Sequence, residues 1–137
     1  MPNNEIYLSI VTVTKNDEKR LNETIKSIKK HISIEHIIID GSNSASDKVK
    51  NSFENNLIYV HGQDGGIYDA MNKGIDMAKG KWILFLNCGD LLSSNFLDNL
   101  FELKDKLPRE TNILYSDALI KRQKEIKLLK SKSIKKV

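Results

Sequence analysis

The sequence predicts an open, mostly parallel α/β sheet flanked by helices. Three observations predict it. Short runs of apolar, β-branched residues recur without the polar alternation of a half-wetted strand, as in Ile6–Thr14 and Glu35–Asp40. Segments with apolar residues at helical spacing lie between those runs. Polar and often acidic residues follow each run directly. A β-α-β order of this kind builds sheets with right-handed crossovers, and near-continuous apolar strands belong to sheets covered on both faces.

Each element follows in turn. Residues 6–14, IYLSIVTVT, form the first strand, and Asn16 or Asp17 can cap the helix after it. Over residues 17–31 the apolar positions Leu21, Ile25, Ile28 and Ile32 mark one helical face. Glu35–Asp40 is the second strand and ends in the loop Asp40-Gly41-Ser42-Asn43-Ser44. A short helix is expected around Asp47–Phe53 and a third strand over Leu57–His61. After the glycine turn 62–66, a helix over 67–79 packs through Ile67, Met71, Gly74, Ile75 and Ala78, with Asp69, Asn72, Lys73 and Asp76 on its other face. Lys81–Asn87 is the fourth strand. Ser93 or Ser94 caps a helix whose apolar side is Phe96, Leu97, Leu100, Phe101 and Leu107. Asn112–Ser116 reads as a fifth strand, and Asp117–Leu129 as a further strand or strand pair.

The 137 residues suffice for one domain with a real core, and 39% hydrophobic with 29% charged content is ordinary for a globular chain. No apolar run approaches the ~18 residues that span a bilayer. The start of the chain has neither a basic region nor a cleavable apolar segment, and the single cysteine, Cys88, fits a reducing compartment, so the expected location is cytoplasmic. The net charge of +4 is unevenly spread: residues 121–137 hold eight Lys/Arg and one acid, or +7, while residues 1–120 hold 14 basic and 17 acidic groups, or −3. The expected division is therefore a binding domain over 1–120 and a basic tail, or the start of a further region, over 121–137. A negative body excludes nucleic acid as its partner. The tail reads either as a solvated end or as a patch for anionic lipid heads at the inner face of a membrane.

In open α/β sheets the ligand sits beyond the carboxyl ends of the strands. Here those ends carry Thr14-Lys15-Asn16, Asp40-Gly41-Ser42, Gln63-Asp64-Gly65 and Asn87-Cys88-Gly89-Asp90. Acids gathered on one edge repel each other unless they meet a cation or hydrogen-bond donors. A carboxylate at a strand tip is well placed to hold a divalent ion against a phosphate, and Mg²⁺ needs only one or two protein carboxylates when phosphate oxygens supply the rest. Each acid also has a plainer reading: Asp40-Gly41 as a turn, Asp90 as an acid leading into a helix, and Asp69, Asn72 and Lys73 as a solvated helix face. Cys88 lacks the partners a soft metal needs, and His31, His36 and His61 show no metal spacing.

On these residues the chain resembles the family 2 inverting glycosyltransferases of GT-A type, in the subgroup that builds bacterial surface polysaccharides. The matching pieces are Ser9–Asn16, Ile38-Ile39-Asp40-Gly41-Ser42, Asp64 through Gly74, and Gly80-Lys81-Trp82-Ile83-Leu84-Phe85-Leu86-Asn87, covering about residues 6–120. The resemblance implies a Rossmann-like nucleotide-binding half, and a transferase that moves a sugar from a nucleoside diphosphate, UDP foremost, to a glycan or lipid-linked acceptor. It implies that Thr14, Lys15 and Asn16 line the nucleotide pocket with Ser42, and that Asp40 accepts from the base. Asp64, Gly65, Asn72 and Lys73 then border the ribose and sugar. Asn87–Asp90 stands in place of the family's Asp-x-Asp motif, with Asn for its first acid. Asp90, with Asn87 beside it, would coordinate Mg²⁺ or Mn²⁺. The base that deprotonates the acceptor lies in the family's second half; Asp117 is the candidate within this chain, although it falls close to the donor half. A nucleotide-sugar-binding module without the acceptor half is the alternative, and an unrelated flavodoxin- or receiver-like binder a third.

Overall fold

The computed structural model describes residues 5–52, 56–122 and 125–130. Ten elements run in the order β1 (Leu8–Thr14), α1 (Glu18–Ser27), β2 (Ile34–Asp40), α2 (Asp47–Lys50), β3 (Leu57–His61), α3 (Ile67–Met77), β4 (Trp82–Phe85), α4 (Phe96–Leu103), β5 (Ala118–Arg122) and β6 (Glu125–Leu129). Phe53, the end expected for the short helix, and Lys124, Lys132, Lys135 and Lys136 of the basic tail lie outside the described residues.

The first four strands form one parallel sheet in the order β3-β2-β1-β4. All seven residues of β2 are buried, as its unbroken apolar run demands. Ile34, Ile37 and Ile38 are fully shielded, and each contributes on the order of 1.5–3 kcal/mol of burial. The chain steps outward from β1 to β3, then returns to the far side of β1 as β4. Strand order thus reverses between β1 and β4, the place where such sheets open a crevice.

The two faces are covered by different helices. Leu21 and Ile25 of α1 and Val49 of α2 pack on Ile38, with Tyr59 and Cys88 at the margin. On the opposite face Ala70 of α3 packs on Val11, Ile37 and Ile39. Asp17 caps α1, its carboxylate accepting from the Arg20 N–H, and acidic Glu18 and basic Lys26 suit the two ends of the helix dipole.

Several expectations are corrected. The first helix stops at Ser27, so Ile32 falls outside it and stands 60% exposed. The face of α3 that meets the sheet is Ala70 and Gly74, while Ile67 and Ile75 are 51% and 42% exposed. The reason is the closeness of the approach: a Cβ on Gly74 would stand 2.3 Å from Val11 Cγ1. Only a small residue fits there, and small residues leave little trace in an apolar periodicity. The ladder of β4 ends at Phe85, short of Asn87, and α4 ends at Leu103, before Leu107. Asn112–Ser116 is irregular and makes no ladder; Ile113, Leu114 and Tyr115 are exposed, because an apolar run becomes a strand only beside a partner.

The chain divides into two compact units, Met1–Leu100 and Phe101–Val137, a division that does not coincide with the charge step at residue 121. Within the second unit β5 and β6 pair as an antiparallel hairpin, which resolves Asp117–Leu129 as a strand pair. Among the described residues no helix is long and apolar enough to cross a membrane.

Candidate functional site

Because the sheet is parallel, the ends of β1, β2 and β3 come together on one edge. Thr14 is in register with Asp40, and Asp40 with His61. Between the tips of β1 and β2 lies a cleft of about 310 Å³, lined by Thr14, Asn16, Asp17, Asp40, Ser42 and Asn43, among others. This lies within the range of small-ligand sites.

The cleft is built by cross-links between two loops. Gly41 N–H donates to the Thr14 carbonyl at 3.0 Å, continuing the β1–β2 ladder one step past its end. Asn16 adopts a left-handed conformation, φ 55°, which Asn tolerates better than most residues. That turn lets its N–H donate to Ser42 Oγ at 2.6 Å, while its side-chain oxygen accepts from the Asn43 N–H at 3.0 Å. The two loops therefore hold each other through three bonds.

Asp40 is almost wholly buried, at 2% exposure, and both of its oxygens are engaged. Oδ1 accepts from the Ser42 N–H at 2.8 Å, and Oδ2 accepts from the Tyr59 hydroxyl at 2.5 Å. The same hydroxyl accepts from the Ser46 N–H at 2.8 Å. Burial and the bond to Asp40 push the Tyr59 hydroxyl up to about 12, so it remains a donor. His61 Nε2–H donates to the Ser42 carbonyl at 2.7 Å and steadies the loop from the other side.

Thr14 stands apart. Its hydroxyl oxygen is buried and has no hydrogen-bond partner among the described residues. The Cys88 thiol lies near enough to feel that hydroxyl without meeting hydrogen-bond geometry. Burial pushes the Cys88 thiol up, and the Thr14 hydroxyl opposes the shift. An unsatisfied buried hydroxyl costs about 1–3 kcal/mol. Thr14 lines the polar cleft, and its hydroxyl is the buried side-chain oxygen left without a partner among the described residues.

Of the other expected site residues, Lys15 is exposed beside Asn16 but does not line the cleft. Asn87 and Asp90 occupy an exposed turn past β4, closed by the Asp90 N–H donating to the Asn87 carbonyl at 2.9 Å. That turn is moored to α1: Gly89 N–H donates to Thr24 Oγ1 at 2.9 Å, and the Cys88 thiol reaches the Asp17 carbonyl at 3.5 Å. Its two side chains remain in solvent. Among the described residues no three His, Cys, Asp or Glu side chains gather as a metal cage. Asp90 and Asn87 do not make a site held by protein alone; an ion there would take its other ligands from water and phosphate oxygens.

Past β3, the Asp64 carboxylate lies against Gly41, where a Cβ would meet its Oδ2 at 2.6 Å. A side chain at Gly41 would therefore push the Asp64 carboxylate away from its present position. Asp64 also accepts from the Gly66 N–H at 3.0 Å. Gly65 N–H donates to Asp69 Oδ2 at 2.8 Å, and Lys73 Nζ pairs with the same oxygen at 3.3 Å and donates to the Gln63 carbonyl. The Gly65 N–H and then the Lys73 ammonium hold the Asp69 carboxyl below its usual range. Gly65 and Lys73 thus staple the loop to α3, whereas Asn72 is exposed. Asp117 immediately precedes β5 in the second unit.

The structure adds Tyr59, His61, Asn43 and Asp17 to the expected set. Period-two alternation places Tyr59 and His61 on one face of β3, but only the strand register brings that face to Asp40.

Residues 9–128 match the family model described as glycosyl transferase family 2. A Mycobacterium tuberculosis protein named an uncharacterized glycosyltransferase is 39% identical over 92 residues, which is 63% of this chain and 35% of that protein. The minor teichoic acid biosynthesis protein GgaB of Bacillus subtilis is 30% identical over 115 residues, 77% of this chain and 13% of its own. Among solved structures, S. aureus TarS 1–349 superposes with a TM-score of 0.66 at 20% identity, covering 74% of this chain and 33% of TarS 1–349. The same TarS fragment in complex with UDP-GlcNAc gives 0.65 at 18% identity, over 81% and 38% of the two chains. Identities this low speak to the fold, which is the Rossmann-like sheet of the GT-A type. The present chain spans about a third of the Mycobacterium tuberculosis relative and a smaller share of GgaB.

Proposed function

Because this chain belongs to glycosyl transferase family 2, we propose that its cleft receives the nucleotide of a nucleoside diphosphate sugar, UDP foremost, whose sugar is transferred to a surface glycan or lipid-linked acceptor. One observation carries the reading: Thr14 keeps a buried, unsatisfied hydroxyl at the rim of a polar cleft formed at the strand tips. A related GT-A fold was crystallised with UDP-GlcNAc, and one relative is named for teichoic acid biosynthesis; both support the choice of ligand and pathway class.

In this reading Thr14, Asn16 and Ser42 border the nucleoside, while Lys15 stays outside the cleft lining. Asp40 accepts from the imide N–H of the base through a lone pair left free by Tyr59 and Ser42, since a carboxylate offers about four acceptor sites. Asp64 and Gly65 lie towards the ribose and sugar, with Asn72 and Lys73 behind them. Asp90, with Asn87, would hold Mg²⁺ or Mn²⁺; when bound, that ion would neutralise the diphosphate as it leaves. Inversion would follow from a single in-line displacement. Acceptor deprotonation needs a carboxylate acting as base, for which Asp117 is the candidate in this chain.

Calorimetric titration of UDP with and without Mn²⁺ tests the proposal. Wild-type protein is expected to bind UDP more tightly with Mn²⁺, and D90N to lose that enhancement while keeping its thermal transition. No heat and no thermal shift at millimolar nucleotide would overturn the reading. Binding of a UDP-sugar without any release of UDP would confine it to donor recognition.

A further inference from the structure

Resting on that reading of the cleft, we propose that Tyr59 is the positioning residue that makes the site select uracil over cytosine. Tyr59 does not line the cleft. It acts through Asp40, which its hydroxyl grips at Oδ2 while the Ser42 N–H grips Oδ1. A carboxylate tied at both oxygens cannot rotate about its terminal bond. Its remaining lone pairs then point in fixed directions.

That fixity matters because the two pyrimidines differ in hydrogen-bond polarity. Uracil presents an N3–H donor flanked by two carbonyls. Cytosine presents an N3 acceptor beside an exocyclic amino group. A free carboxylate turns to accept from either the imide or the amino group. A clamped one accepts from a donor at one position and repels a lone pair placed there. A site built to receive a particular N–H rejects the analogue lacking it.

Tyr59 is itself held in place. Its hydroxyl accepts from the Ser46 N–H, so it cannot swing away without stranding a buried donor. Its ring packs with the cluster of Leu21, Ile25, Ile38 and Val49. The clamp thus joins β2, β3 and the start of α2 at one carboxylate.

The test compares UDP and CDP affinities by calorimetry in wild type, Y59F and N56A. Phenylalanine keeps the ring packing, so Y59F is expected to fold. In wild type UDP binds more tightly than CDP. In Y59F, UDP affinity is expected to fall about tenfold while CDP stays within about twofold, collapsing the preference. N56A removes the Asn56 Nδ2 bond to the Ile34 carbonyl, at the end of β3 remote from the cleft. It should lower the melting temperature and leave the ratio intact. A purely structural role for Tyr59 would weaken both nucleotides equally. Wild-type discrimination retained in Y59F, or lost equally in N56A, overturns the assignment of Tyr59 and leaves the nucleotide reading standing. Absence of any wild-type nucleotide binding overturns both.

Discussion

The two ends of the parallel sheet both bury polar side chains, and they treat them in opposite ways. At the amino end, Ser9 Oγ donates to Glu35 Oε1 at 2.6 Å, Lys79 N–H donates to the same oxygen at 2.7 Å, and Gly80 N–H donates to Ser9 Oγ at 2.8 Å. The network ties β1 and β2 to the approach of β4, and it closes on protein groups. At the carboxyl end, Asp40, Tyr59, Ser42 and Asn16 form a comparable network, but it borders a cleft and leaves the Thr14 hydroxyl unsatisfied. A closed network stabilises the fold, since any missing partner strands a buried donor or acceptor. An open one gives up some stability in exchange for a place where a ligand completes it. Buried polar groups therefore close on one another at one edge and border a cleft at the other.

That contrast can be broken or sharpened by substitution. The largest effect is expected at the amino end. E35A strands the Ser9 hydroxyl and the Lys79 N–H and should cost about 3 kcal/mol in urea unfolding, with the UDP-to-CDP preference of the folded fraction unchanged. A changed preference would mean the two ends are not independent.

Next comes acid. Burial holds the His36 imidazole down at about 4, beside the Thr12 hydroxyl 2.7 Å away. In the unfolded chain the imidazole takes its proton near the ordinary value of 6.5. Between those values the unfolded state binds the extra proton, so this contribution to stability is present above pH 6.5 and lost as pH falls towards 4. The loss should reach about 3 kcal/mol, and H36Q should lack that part of the pH slope. An identical slope in H36Q would remove His36 from the acid response.

The smallest expected effect is the most pointed. T14V removes an unsatisfied hydroxyl while keeping its shape, so the ligand-free protein should be unchanged or stabilised by up to about 1 kcal/mol. Nucleotide affinity should fall about five- to tenfold. If T14V destabilises the free protein by more than about 1 kcal/mol, the hydroxyl has a structural partner and the contrast between the two ends fails.

Much of the sheet was legible because burial writes itself into residue type. The run Glu35–Asp40 could hardly be anything but a strand covered on both faces, and Asn16 or Asp17 announced the start of α1, of which Asp17 is the cap. The face of α3 was legible only in part. Gly74 and Ala78 were expected at the sheet and lie there, but Ile67 and Ile75 stay exposed, and Ala70 takes their place because the helix approaches Val11 so closely. In the candidate site, Thr14, Asn16, Asp40 and Ser42 could be picked out as polar residues at strand tips. Tyr59 could not, because a tyrosine in an apolar strand reads as core until a neighbouring strand brings a carboxylate to its hydroxyl.

Local chain chemistry alone settles the order of the first four strands and their helices, the polar character of those strands' carboxyl tips, and the step from an acidic body to a basic end. Strand pairing decides the rest: which tips become neighbours, which buried oxygens find donors, and which one among the described residues does not. The physical reason is range. Propensity and periodicity act over a few residues, whereas a hydrogen bond between Tyr59 and Asp40 joins residues 19 apart and exists only once the register of β2 and β3 is set.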